Sequence, residues 1–434
     1  MSKSTITQGL KAFIDASPTP FHAVENMRQL LLKNGFGEVF ENENWSLKPF
    51  GNYFLTRNGS SIIAFRLAGQ LHQGLRMIGA HTDSPCLRLK PNPVKEDNGY
   101  VTFGVEVYGG ALLNPWFDRD LSIAGRVTLK CPNGTLISRL VNLVDPVAFI
   151  PSLAIHLDRD VNNKRSVNPQ TMLPPLVSTS GDSSYDLIRM IHEHLLSEGS
   201  CQPDDVVSDF ELSLFDVNGG QEVGVKKDFL ASARLDNLLS CWLSLQALIS
   251  SDGSAGDQLI VCNDHEEVGS GSLAGAKSNF LSSVVNRLST KESDLINIMS
   301  KSLLVSTDNA HGLHPNFLDK HDSLHGPLIN QGPVLKINSN QAYATNSESA
   351  ALLRLAATRA DVPLQSFVVR SDMGCGSTIG PLTAAKLGVR AVDVGVPTFG
   401  MHSIRELAGC KDIESMFKLL CAFLDLDSLK VESN

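Results

Sequence analysis

Two adjacent glutamates, Glu266 and Glu267, follow the apolar run Leu259-Ile260-Val261-Cys262 within the stretch Asp264-His265-Glu266-Glu267-Val268-Gly269-Ser270. Neighbouring carboxylates on extended chain point to opposite sides, so one can hold a metal while the other moves a proton. A lone Glu-Glu pair is more often solvated surface. Four other segments give this pair company: Gly79-Ala80-His81-Thr82-Asp83, Arg234-Leu235-Asp236-Asn237, Ser306-Thr307-Asp308-Asn309 and Gly400-Met401-His402-Ser403. Each borders an apolar strand-like run or opens a helix, so an open α/β sheet can gather them at its carboxyl edge, where such folds place ligands.

Two divalent metals about 3.5–4 Å apart would bind a bridging water and polarise a carbonyl. Such a site asks for one carboxylate between the metals, and one imidazole and one carboxylate in all for each metal. The candidates supply that inventory: Asp236 as the bridge, His81 with Asp308 on one metal, and Glu267 with His402 on the other. Two dications are then balanced by three carboxylates and a bridging hydroxide, which spares a buried site a large desolvation cost. Asp83 follows His81 by two residues and shares its side of a strand end, so its carboxylate can reach the far imidazole nitrogen and fix the tautomer. Glu266 is left unligated and available as the general base. Taken singly, an Asp-Asn or Thr-Asp is more often a turn or a helix cap; the joint pattern carries the reading. A second histidine-rich stretch, His311, His314, His321 and His325, contains Gly312, Pro315 and Gly326 and reads as a loop or a substrate wall. There is no G-x-x-x-x-G-K-[ST] run, no complete G-x-G-x-x-G and no G-x-S-x-G elbow, which argues against nucleotide chemistry and an α/β-hydrolase serine.

These residues need elements to position them. Ser17-Pro18-Thr19-Pro20 starts a helix with Val24, Met27, Leu30 and Leu31 as its apolar stripe and Gly35 as the stop. Strands are expected at Ser61 to Leu67 and at Leu75 to Ala80. From about Pro91 to Val225 the texture turns to antiparallel β, as in the alternating Val101 to Tyr108, with a helix near Tyr185 to Glu198. From Phe229 onward helices alternate with strands: helices over Leu235 to Leu248, Ser347 to Arg359 and Ile413 to Leu424, and strands over Gln258 to Asn263, Leu303 to Ser306, Gln365 to Val369 and Val389 to Val394. That alternation predicts an α/β sandwich with a largely parallel centre, built from residues 1–90 and 227–434, with residues 91–226 as an inserted β-rich domain.

Composition narrows the classes. The 434 residues are 42% apolar and 19% charged, room for two or three domains at about 150 residues each. A formal charge of −9 argues against a nucleic-acid partner, which wants a basic face. No apolar run approaches the ~20 residues of a membrane helix, and Met1 to Gln8 lacks the apolar core of a signal peptide, so no membrane partner and a cytoplasmic location are expected. The 8 cysteines are scattered without a CxxC pair, consistent with reduced thiols. Any zinc must therefore be held by histidine and carboxylates.

At this point the motifs form a familiar set. Gly79-Ala-His81-Thr-Asp83-Ser-Pro, Gly109-Gly110-Ala-Leu-Leu-Asn-Pro-Trp116-Phe-Asp118-Arg119-Asp120, Leu153-Ala-Ile-His156-Leu, Arg234-Leu-Asp236-Asn, Asp264-His-Glu266-Glu267-Val-Gly-Ser, Asp308-Asn-Ala-His311, Asn340-Gln-Ala-Tyr-Ala-Thr-Asn346, Ser371-Asp-Met-Gly-Cys-Gly-Ser-Thr-Ile-Gly-Pro381 and Met401-His402-Ser-Ile-Arg-Glu together resemble the aspartyl aminopeptidase family of dinuclear zinc aminopeptidases, in its bacterial branch. The resemblance implies an α/β fold, a three-layer zinc-exopeptidase sandwich with a mixed central sheet plus an inserted β-rich dimerisation domain. It implies two zinc ions per subunit, with manganese or cobalt able to substitute, held by His81, Asp236, Glu267, Asp308 and His402. Glu266 is then the base and Asp83 its support. The implied reaction removes amino-terminal Asp or Glu from peptide substrates by attack of a dizinc-bridging hydroxide. Self-association to dimers and a tetrahedral dodecamer is implied too. His156 is expected to reach a neighbour's active site and contact substrate there, with zinc ligation as its alternative role. Lys336 is the candidate partner of the acidic substrate side chain, with an ordinary surface lysine as the plainer reading. Met172 departs from some eukaryotic members, which carry histidine there; this bears on specificity. The competing functions are a related two-metal carboxypeptidase or deacylase, and a non-catalytic assembly protein on the same scaffold.

Overall fold

A computed structural model describes residues 3–181, 185–289 and 292–432. Met1 and Ser2, which open the segment read above for a signal peptide, lie outside them. The chain divides into two compact units: Met1–Asp83, Gly220–Met401 and Glu406–Asn434 form one, and Ser84–Gly219 with His402–Arg405 form the other.

The first unit is built on a nine-stranded sheet in the order Gly37–Glu38, Asn52–Arg57, Ser61–Arg66, Gln258–Asn263, Arg76–His81, Leu303–Thr307, Arg390–Gly395, Val334–Lys336, Gln365–Phe367. The four strands from Gln258–Asn263 to Arg390–Gly395 run parallel, while Ser61–Arg66 and Val334–Lys336 join their ends antiparallel. The central strands are apolar on both faces, as a sheet covered by helices on each side requires. Leu303 and Val305 enter one core with the helices Leu235–Ser250, Ser347–Arg359 and Cys410–Leu424, whereas Leu304 enters the opposite core with Phe280–Leu288. The result is the three-layer sandwich with a mixed sheet. Helix boundaries follow local chemistry. Ser347–Arg359 begins where the Asn346 side chain accepts from Ser349 N–H and the Ser349 hydroxyl accepts from Asn346 N–H. A second, five-stranded sheet in this unit orders Gln221–Val223, Phe229–Ser232, Glu406–Gly409, Pro397–Phe399 and Ala310–His311.

The other unit carries a six-stranded sheet ordered Leu136–Asn142, Leu121–Lys130, Val206–Asp216, Cys86–Asp97, Tyr100–Tyr108, Leu176–Thr179, with every pairing antiparallel. Its core gathers the inward positions of these strands, among them Leu87, Phe103, Ile123 and Leu212, beneath the helix Leu187–Ser197. Asp186 caps that helix by accepting from Arg189 N–H. Among the described residues no helix is long and apolar enough to cross a membrane.

Candidate metal centre

Parallel pairing sets the ligand-bearing strand ends in register. Asn263 pairs with His81, and Ser306 pairs with Gly79, so the chain leaves the sheet at one edge with His81, Asp264 and Asp308 close behind. His81 is 1% exposed. Its Nε2 lies 3.4 Å from Asp236 Oδ1 and 3.6 Å from Asp308 Oδ1. Its Nδ1 lies 3.1 Å from the Asp83 carbonyl oxygen; a proton donated there leaves the Nε2 lone pair facing the carboxylates, the tautomer a ligand needs.

Asp236 sits near the start of the helix Leu235–Ser250 with non-helical backbone, φ −86 and ψ 102. Its N–H, which the helix cannot use, donates to Glu406 Oε2 at 2.8 Å. Asp308 follows the end of its strand and keeps the ladder by donating its N–H to the Val394 carbonyl. That close approach depends on Gly395, where a Cβ would stand 1.8 Å from the Asp308 carbonyl oxygen.

Glu266 and Glu267 depart from the extended geometry expected of them. They lie in a 3-10 turn, Glu266–Val268, entered through His265 at φ 61. Asp83, fully buried, explains how the turn is held: its Oδ1 accepts from Glu266 N–H at 3.0 Å and its Oδ2 from Glu267 N–H at 3.1 Å. The same Oδ1 stands 3.4 Å from His81 Nδ1, so Asp83 serves the imidazole and the glutamate turn together. Among the described residues of the first unit two donor groups result, His81 with Asp236 and Asp308, and His81 with Glu266 and Glu267, each with its donor atoms within 4.8 Å of one another. Imidazole and carboxylate donors at this spacing suit zinc. The nearby Cys241 spends its thiol on the His81 carbonyl at 3.0 Å and stands outside both groups.

Acidic groups crowd this site, opposed by Lys336 and His81. Burial pushes Glu266 up to about 7, with Asp308, Asp83 and Asp236 adding to it against His81. Burial and then Asp236 push Glu267 higher, to about 10. Burial alone would lower His81, but Asp236, Asp308 and Asp83 hold it well above the usual histidine value. Asp308 goes the other way. Burial would raise it, yet Lys336 and His81 lower it. A cluster that raises its own carboxylates in this way favours the arrival of cations, because a divalent ion repays the charge that burial penalises.

The other candidates fall in different places. Lys336 is buried, 2% exposed, which removes the surface-lysine reading. Its Nζ lies 3.4 Å from Asp308 Oδ2, donates to the Asn309 carbonyl at 3.0 Å and stands 5.1 Å above the Tyr343 ring. His402 opens the short segment of the second unit at φ 68, with Nδ1 3.1 Å from the Gly110 carbonyl of that unit. His156 occupies an exposed turn of the second unit, not that unit's core. His311, His314, Phe367, Arg370, Phe399 and Met401 line a cavity of about 290 Å3 in the first unit. Glu406, 3% exposed at the start of the strand Glu406–Gly409, was not singled out from the sequence, where its place at the end of the Met401–Glu406 run was the available signal.

A model of the family described as aminopeptidase I zinc metalloprotease (M18) matches residues 13–424. The chain is 52% identical over 424 residues to the probable M18 family aminopeptidase 2 of Pseudomonas syringae pv. syringae (strain B728a), covering 97% of this chain and 98% of that relative. Identity and coverage are the same for the counterpart in Pseudomonas fluorescens (strain SBW25). Among solved structures, a chain in the cryo-EM structure of the Ape4 and Nbr1 complex superposes with a TM-score of 0.94 at 39% identity, over 98% of this chain and 86% of that one. The S. cerevisiae mApe1 dodecamer superposes with a TM-score of 0.84 at 30% identity, over 97% and 96% of the two chains.

Proposed function

This chain belongs to the M18 family of zinc metalloproteases and is a zinc-dependent aminopeptidase; from that premise we propose that it removes amino-terminal Asp or Glu from peptides, using two zinc ions per subunit. The observation that carries the reading is His81 Nε2 facing Asp236 and Asp308 while Asp83 anchors the turn of Glu266 and Glu267. His81 and Asp308 would hold one ion, Glu267 and His402 the other, and Asp236 would join them; manganese or cobalt can substitute. When bound, the ions acidify water and polarise the peptide's first carbonyl.

The chain's own residues do the rest. Glu266 takes a proton from the attacking water and returns it to the leaving amine. Asp83 holds Glu266 by its backbone, so the base keeps its aim while its carboxylate changes charge. Lys336 meets the acidic side chain of the substrate. The histidine-walled cavity contributes a substrate wall. His156 contacts the substrate of a neighbouring subunit. The β-rich domain around it mediates dimers, which assemble to a tetrahedral dodecamer. Support for that assembly comes from the dodecamer formed by the S. cerevisiae relative and from the exposed apolar side chains beside His156, Leu153 at 59% and Leu157 at 74%.

An aminoacyl panel with zinc, manganese or cobalt tests the proposal. Free-amine Asp and Glu substrates should turn over fastest and their amino-blocked forms not at all. Cleavage of blocked substrates would instead indicate a deacylase or carboxypeptidase. No hydrolysis across the whole panel would indicate an assembly protein.

A further inference from the structure

We propose that Asp393 is a positioning residue for substrate selection, holding Lys336 and Tyr343 in the arrangement that reads an acidic first side chain. The inference rests on the role given above to Lys336. Asp393 lies in the strand Arg390–Gly395 and is 0% exposed. Val334 pairs with Gly395 and Leu335 with Val394; the ladder ends one step short of Lys336 and Asp393, where Asp393 N–H turns to Thr345 Oγ1. On its other side the parallel ladder sets Ser306 beside Asp393, and Asp308 lies two residues beyond Ser306. Side chains opposite one another on neighbouring strands share a face. Lys336 Nζ lies 3.4 Å from Asp308 Oδ2, and burial raises the proton affinity of Asp393 against the opposing charge of Lys336.

The Asp393 carboxylate does more than balance charge. Its Oδ2 accepts from Ala344 N–H at 2.7 Å and its Oδ1 from the Thr378 hydroxyl at 2.5 Å, while its own N–H donates to Thr345 Oγ1 at 3.0 Å. Ala344 directly follows Tyr343, whose ring lies under the Lys336 ammonium. Thr378 caps the helix Ile379–Leu387 by accepting from Gly380 N–H. Gly380 comes so near that a Cβ there would stand 2.6 Å from Asp393 Oδ2. One buried carboxylate therefore ties the loop that carries Tyr343 under Lys336 to the turn after Ser377. Asparagine keeps an acceptor for Ala344 N–H only with its amide N–H2 turned to Thr378, whose hydroxyl must then accept instead of donate, and it removes the carboxylate's charge in either orientation.

The test compares the unsubstituted protein with Asp393→Asn and Thr378→Val, using an Asp and an Ala aminoacyl substrate, and measures kcat, KM and bound zinc. For Asp393→Asn we expect KM for the Asp substrate to rise about tenfold or more, with kcat changed far less and zinc content retained. The Ala substrate should lose less than about threefold in kcat/KM, so the Asp-to-Ala selectivity ratio collapses. Thr378→Val, which removes one donor only, should shift the ratio the same way by about threefold. It decides the matter if the asparagine variant does not fold. An unchanged ratio in the folded variants overturns the role, as does a parallel loss on both substrates. An unsubstituted enzyme indifferent to the acidic residue sinks the Lys336 reading, and this inference with it, a result distinct from a preference that survives both substitutions.

Discussion

Asp308 and Glu267 belong to one cluster yet live in opposite surroundings. Asp308 stands 3.4 Å from the Lys336 ammonium, and its proton affinity is lowered. Glu267 donates its backbone N–H to another carboxylate, Asp83, and burial with Asp236 drives its proton affinity up. The strand-end half of the site is thus partly neutralised by the chain itself. In the glutamate half burial and like charge outweigh His81. The division separates the half that folding balances from the half that the proposed zinc would complete, and each of the following substitutions probes one side of it.

The largest effect is expected on the glutamate side. Glu266→Gln should lower kcat by about 10²–10⁴-fold while elemental analysis still finds the wild-type zinc content; near-normal turnover would remove Glu266 from proton transfer. Next comes the strand-end side. In protein stripped of metal by chelator, Asp308→Asn takes the nearer carboxylate from a buried ammonium that keeps the Asn309 carbonyl and should cost roughly 1.5–3 kcal/mol in chemical denaturation. Glu267→Gln should cost little under the same conditions, and equal losses would erase the contrast. A smaller change should follow Glu406→Ala, which deprives Asp236 N–H of its acceptor. Zinc affinity measured by competition with a chromophoric chelator should fall about 10–100-fold.

The gentlest probe is pH. Both glutamates have folded-state values above their ordinary 4.5. Their contribution to stability is therefore complete below about pH 4.5 and is lost as pH rises through about 7 for Glu266 and onward for Glu267. Metal-free protein should lose a few degrees of Tm between pH 5 and 8 in a thermal-shift series, and added zinc should abolish most of that slope. A flat metal-free profile would contradict the contrast.

Much of the fold was legible because its signals are local. Gln258–Asn263 and Ser347–Arg359 appear at their expected boundaries, the first an apolar run too short for a helix, the second carrying its own capping residues. In the β-rich region the alternation of Tyr100–Tyr108 could be read directly. The long strand Val206–Asp216 could not be singled out, since its outward positions mix Ser, Asp and Glu with an irregular step near Val207. The site residues were visible as types at strand ends. The turn of Glu266 and Glu267 was not, because its left-handed entry at His265 is compensated by Asp83, far away in sequence. Lys336 shows the same limit. Nothing beside it in the chain announces burial; Asp308, Asn309 and Tyr343 supply its partners only after folding.

Asp83 has a consequence for how such a site can change over time. Its two oxygens hold the backbones of two residues with different tasks, Glu266 and Glu267, at nearly equal lengths of 3.0 and 3.1 Å. In the proposed mechanism, metal retention and proton transfer are therefore hitched to one hinge pin. A substitution that moves it displaces both traits in the same step, so neither can drift alone through this position. A redesign that seeks a new metal without losing turnover has no freedom at Asp83.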